Sequence, residues 1–150
     1  MASTYANLAY HLIFSTKGRA PTIEAAIAAQ LHAYMAGIIR SLRGVPLLVG
    51  GMPDHVHIRC RLMPDISISD MLRTIKANSA KWLNETKDRS GRFAWQTGYA
   101  AFTVSESRVA SVLDYVKRQD GHHRVRTFQE EFREFLERNK VDYDERYLWD

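Results

Sequence analysis

His55 and His57 stand two residues apart in the run Asp54-His55-Val56-His57-Ile58-Arg59-Cys60-Arg61-Leu62, and Arg59 and Arg61 continue the same alternation. Side chains of a strand point to opposite faces in turn. One face therefore takes Val56, Ile58, Cys60 and Leu62, and the other takes His55, His57, Arg59 and Arg61. Two imidazoles can ligate a divalent metal, and two guanidiniums can hold a phosphate oxyanion. A half-buried strand gains no packing from histidines on one face, so the combination points to chemistry on a nucleic-acid phosphodiester. Further along, Tyr115 and Gln119 lie four apart in a segment whose core stripe is Val109, Val112, Leu113 and Val116. They share a helix edge about a quarter turn from that stripe, as neighbours of each other rather than of the core.

Two strand histidines, the amide oxygen of Gln119 and open positions would make a divalent site able to act as a Lewis acid on a phosphate. Only Asp54 adjoins the motif, whereas a two-metal nuclease gathers several carboxylates, so a single metal is expected. Mixed nitrogen and oxygen ligands suit Mn²⁺ and admit Mg²⁺, with Zn²⁺ a less useful occupant. Tyr115 is then the nucleophile: its phenol, with an ordinary pKa of about 10, needs a nearby cation or base to react. Attack would leave a phosphotyrosine and a free sugar hydroxyl, conserving the phosphoester energy so that rejoining needs no ATP. A His-x-His pair also occurs as a purely structural feature, and the metallo-hydrolase pattern His-x-His-x-Asp is absent because position 59 is arginine.

The elements that must position these residues follow from periodicity. Residues 7–15 alternate Leu8, Tyr10, Leu12 and Phe14 against Ala9, His11 and Ile13, and predict a first strand. His11 has no second ligand two positions away, which favours a polar-face or core histidine over a metal ligand. Thr22 is the expected N-cap of a helix carrying Ile27, Leu31, Met35, Ile38 and Ile39 and closing at Gly44. A second strand at 46–49, a bend at 50–54 and the histidine strand predict a hairpin. Ser67 or Ser69 starts a helix with Met71, Leu72, Ile75, Ser79 and Leu83 inward; Arg73, Lys76 and Lys81 form a solvated face or a phosphate track. Residues 93–104 read as a further strand, in which Trp95 and Tyr99 are packing residues or, alternatively, stacking platforms for bases. Ser105 caps the Tyr115 helix; His122 and His123 serve phosphate contact or solvation. The spacing Thr127-Phe128-Gln129-Glu130 opens a last helix with Phe128, Phe132, Phe135 and Leu136 inward, and the tail 142–150 packs on a neighbour or over the body.

Composition narrows the class. At 150 residues the chain fits one domain spanning 1–150. A net charge of +4 is compatible with a polyanionic partner. One cysteine excludes an internal disulfide and a cysteine-rich zinc site. No apolar run reaches the roughly 20 residues of a membrane span, and no basic-then-apolar leader opens the sequence, so no membrane contact and a cytoplasmic location are expected.

The strand His55-Val56-His57, the segment Trp95-Gln96-Thr97-Gly98-Tyr99 and the helix Tyr115-Val116-Lys117-Arg118-Gln119 together resemble the small single-tyrosine HUH transposases of bacterial insertion sequences. These IS200-like proteins include the REP-associated tyrosine transposases, and the resemblance covers nearly the whole chain. It implies that His55, His57 and Gln119 hold Mg²⁺ or Mn²⁺ and that Tyr115 is the catalytic nucleophile. It further implies a ferredoxin-like α/β (α+β) sandwich, with an antiparallel sheet and helices on one face. Single-stranded DNA hairpins at element ends would be the substrate, and a homodimer would share its active sites, each Tyr115 helix completing the partner's histidine pair. Within this expectation Arg59, Arg61, Arg73 and Lys76 are the DNA-binding residues. The rival readings are a domesticated relative that processes repeated palindromes, a non-catalytic nucleic-acid-binding regulator, and a hydrolase that uses water.

Overall fold

A computed structural model describes residues 3–86, 91–105 and 128–148. In chain order these form β1 (Leu8–Ser15), α1 (Ala25–Ser41), β2 (Val45–Met52), β3 (His55–Leu62), α2 (Ile68–Thr86), β4 (Ala100–Thr103) and α3 (Phe128–Arg138). The strands make an antiparallel sheet in the order β2-β3-β1-β4. With α1 and α2 as the two crossovers, this is a ferredoxin-like α+β sandwich. Among the described residues no helix is long and apolar enough to cross a membrane.

Period-two alternation gives the sheet two buried faces. Leu12, Phe14, Val56, Ile58, Cys60 and Leu62 pack with Ile27, Leu31 and Met35 of α1 and with Met71, Leu72 and Ile75 of α2. Ile13, Ala100 and Phe102 point the other way and meet Phe128, Phe132 and Leu136 of α3, with Leu148 of the tail joining them. The expectation of helices on one face thus holds for α1 and α2. The third helix covers the opposite face because its stripe at positions 128, 132 and 136 needs an apolar partner and finds Ile13 and Phe102 there.

Register sets up the site. Leu8 pairs with Leu62 and Ser15 with His55, so His11 lies opposite Arg59 and Ile13 opposite His57, on one face. The hairpin turn is tighter than its sequence implies. Gly50, Gly51 and Met52, expected in a bend, continue β2 opposite His57, Val56 and His55. A side chain at position 51 would come within 2.2 Å of the His55 carbonyl oxygen, which requires glycine where the two backbones meet.

Two boundaries differ from expectation. Thr22 is not the N-cap of α1: the Ile23 amide donates to the Pro53 carbonyl, holding the chain across the hairpin turn, and Glu24 occupies the cap position. Of the two candidate serines for α2, Ser67 caps it, accepting from the Asp70 amide at 3.1 Å. The strand expected over 93–104 is confined to Ala100–Thr103 and an isolated bridge between Thr16 and Trp95. Side chains take several of its other backbone groups. Asn84 accepts from the Phe93 amide at 2.7 Å and donates to the Phe93 carbonyl at 3.0 Å, while the Lys76 ammonium donates to the carbonyls of Gln96, Thr97 and Gly98.

Candidate active site

On β3 the histidine face is not open. His55 and His57 are 0% and 1% exposed, so the half-buried strand expected from the alternation is buried on both sides. Helix α3 is the reason. Phe128 stacks flat on the His55 ring, with centroids 3.7 Å apart and planes 5° from parallel, and Phe135 meets His11 edge-on at 5.2 Å.

Each histidine of the pair is oriented through Nδ1. The His55 Nδ1–H donates to the Asp54 carboxylate at 2.7 Å. His57 Nδ1 lies 2.9 Å from His11 Nε2. Burial first, and the Arg59 charge next, hold the His11 pKa well below its usual range, so His11 is a neutral imidazole. As a neutral ring it can accept the proton of His57 Nδ1 on Nε2. With Nδ1 as the donor in both residues, Nε2 is the nitrogen that carries a lone pair for a metal. The two rings, 5.2 Å apart and inclined at 76°, sit on alternate residues of a rigid strand. A carboxylate or imidazole behind each ring is the supporting arrangement that metal sites use to fix ring and tautomer. The donor set therefore fits a divalent metal as far as it is described. Among the described residues there is no group of three or more His, Cys, Asp or Glu that could hold one alone, so a metal bound here would take its other ligands from outside this pair. Gln119, Tyr115, His122 and His123 lie outside the described residues.

The basic residues divide by location. Arg59 is wholly buried, and burial pulls its pKa down to about 10, leaving it charged at neutral pH. Arg61 lies near the end of β3, where its Nε donates to Asn7 at 3.2 Å. Arg73 and Lys76 belong to another region: with Lys81, Arg92 and Tyr99 they line a groove of about 730 Å³ between α2 and the 92–99 segment. Arg73 is solvent-exposed and pairs with Asp70. Lys76 is held by its three carbonyls and lies 5.5 Å from the centre of the Tyr99 ring; burial lowers its pKa to about 8. Trp95 is a core residue whose indole N–H donates to Ser79 at 2.9 Å, whereas Tyr99 is 42% exposed in the groove.

Sequence reasoning missed His11 and Asp54 as orienting partners. The signal for Asp54 was its place next to His55. That for His11 was subtler: on β1 it shares a face with Ile13, the residue that pairs with His57.

Comparison with known proteins agrees with this geometry. The family model described as "Transposase IS200 like" matches residues 4–119. The chain is 28% identical over 117 residues to the ISDra2 transposase TnpA of Deinococcus radiodurans, covering 75% of this chain and 84% of that protein. It is 29% identical over 129 residues to the IS200 transposase of Salmonella typhimurium, covering 79% and 81%. In structure it is similar to a Deinococcus radiodurans protein described as a transposase, with a TM-score of 0.63 and 26% identity over 79% of this chain and 95% of that one. Its fold is also that of a REP-associated tyrosine transposase bound to a REP hairpin, with a TM-score of 0.62 at 14% identity over 82% and 73% of the two chains. With the family model spanning most of the sequence, the two histidines on their sheet strand are part of a DNA-processing enzyme: the chain belongs to the IS200-like transposase family.

Proposed function

We propose that this transposase cleaves and rejoins single-stranded DNA at element-end hairpins through a 5′-phosphotyrosine formed on Tyr115. The observation that supports the reading is the pairing of His55 with Asp54 and of His57 with His11, which, with Nδ1 donating in each, leaves both Nε2 atoms able to act as ligands. His55, His57 and Gln119 would hold Mg²⁺ or Mn²⁺. When bound, the cation supplies positive charge that polarises the scissile phosphate and eases departure of the leaving oxygen.

The chain's own residues do the rest. The Tyr115 hydroxyl loses its proton and attacks phosphorus; the bond from phosphorus to the 3′ oxygen breaks, and that oxygen takes up a proton as a 3′-hydroxyl. The 5′ phosphate stays on Tyr115. Rejoining is the reverse, with a 3′-hydroxyl attacking the phosphotyrosine and the phenol restored. Arg59, Arg61 and Arg73 contact backbone phosphates, and Lys76 adds its charge to the groove beside Tyr99. A stem-loop suits that groove, since phosphates along a stem meet its basic wall while an unpaired base can stack on Tyr99. The likeness in fold to a transposase holding a REP hairpin is in keeping with this substrate. Cutting and rejoining two ends takes two nucleophiles, which a twofold homodimer supplies, each Tyr115 helix completing the histidine pair of the other copy. The enzyme would act in the cytoplasm, where its DNA is.

Covalent trapping tests the reading. Full-length protein is incubated with Mn²⁺ and labelled single-stranded hairpin oligonucleotides, then denatured. An adduct in wild type and none in Tyr115→Phe is the expected result. Cleavage that persists in Tyr115→Phe would make water the nucleophile and end the phosphotyrosine mechanism; hairpin binding with no cleavage in wild type would favour a regulator.

A further inference from the structure

Among the described residues Arg59 is the largest fully buried side chain, and none of its three guanidinium nitrogens has a hydrogen-bond partner there. A guanidinium is charged at neutral pH and carries five N–H donors, and a buried charge without a partner is strongly disfavoured. Arg59 lines a cavity of about 350 Å³ between β1, β4 and the end of α3, together with His11, Thr103, Ser105, Arg138 and Asn139. No carboxylate lines it among the described residues. Arg138, at the exposed rim, pairs with Glu134 one turn back on α3, at 2.5 Å. The space would hold on the order of ten waters at about 30 Å³ each, so it admits a tetrahedral oxyanion with part of its hydration.

We infer that this cavity is a phosphate-binding site built on Arg59, with Arg138 at its mouth, and that it holds a backbone phosphate of the DNA strand next to the scissile one. The placement follows from register. Arg59 is on the same face of β3 as His57, about 6.6 Å further along at 3.3 Å per residue, a span that one nucleotide of an extended strand covers. His11 joins the two places, bonding to His57 and lining the cavity. Arginine is the residue for this task because its planar fork takes two oxygens of one phosphate. The part played by the strand rests on the proposed DNA-cleaving function; the anion site itself does not.

Two measurements on the full chain test the inference, with inorganic phosphate and a short single-stranded oligonucleotide as probes. Thermal unfolding is followed as phosphate replaces chloride at constant ionic strength, and oligonucleotide affinity is followed against salt. Wild type should be stabilised by phosphate, and Arg59→Met should lose that response. The slope of log affinity against log salt should fall by about one unit in Arg59→Met, the loss of a single phosphate contact. Arg138→Ala, a change at an exposed position, should reduce both effects in the same direction and serves if Arg59→Met does not fold. A wild type indifferent to phosphate would overturn the site. A phosphate response abolished by Arg59→Met with an unchanged salt slope would show that free phosphate, and not the strand, is the ligand, overturning the inference. Neither measurement requires cleavage, so a missing Tyr115 adduct would leave both results readable.

Discussion

His11 Nε2 and His57 Nδ1 lie 2.9 Å apart across the β1–β3 pair, which places a residue 46 positions upstream where it can set the tautomer of a candidate metal ligand. His11 can accept the His57 proton only as a neutral imidazole, and its burial beside Arg59 keeps it neutral. The expected consequence is specific. His11→Ala should weaken Mn²⁺ affinity by about 10- to 100-fold, the usual loss when a partner behind a ligating histidine is removed. His11→Gln, whose amide oxygen can accept the same proton, should recover much of it. Isothermal titration of Mn²⁺ into the full chain reads both, and equal affinity in His11→Ala and wild type would show that His57 needs no orienting partner.

Phe128 imposes a different condition. Its ring covers that of His55 at 3.7 Å, and neither residue has appreciable contact with solvent. A catalytic metal needs open coordination positions for its substrate, so the first turn of α3 governs access to the histidine pair. Phe128→Ala should destabilise the fold by about 3 kcal/mol, since it empties a buried aromatic site. It should also speed modification of His55 by diethyl pyrocarbonate severalfold under conditions where the variant stays folded. Peptide mapping by mass spectrometry checks this; an unchanged His55 rate would mean that another part of the chain does the covering.

How much of this was legible depended on the range of the interaction. The two faces of β3 could be read because each residue type there satisfies a local period of two: Val56, Ile58 and Cys60 are in the main core, and His55, His57 and Arg59 are on the other side. The stripe of α1 was equally plain, since Ile27, Leu31 and Met35 recur within one element. The 93–99 segment could not be read. Its aromatic, β-prone composition suggests a strand, but Asn84 and Lys76, both on α2, claim its backbone groups. Likewise the stripe of α3 announces an apolar face without saying what it will cover, so nothing in the local sequence shows that Phe128 ends on His55. The segment around Tyr115, the second half of the candidate site, lies outside the described residues, and its part rests on the family to which the chain belongs.

Cys60 provides a test of the main core that is independent of DNA. It lies on the apolar face of β3, fully buried, and burial pushes its thiol up to about 12 from an ordinary value of 9.0. In the folded protein the thiol stays protonated to about pH 12, whereas the unfolded chain loses that proton above pH 9. Between these values the unfolded state binds fewer protons, so stability falls as pH rises. By pH 10 the contribution of Cys60 to this loss should be about 1.4 kcal/mol. Cys60→Ala will be less stable throughout because it leaves a small cavity, but its stability should decline less between pH 8 and pH 10 by that amount. Urea unfolding of both proteins at the two pH values reads the difference. Parallel declines would mean that the thiol ionises within the fold and that the β3–α1–α2 core is open to solvent at that point.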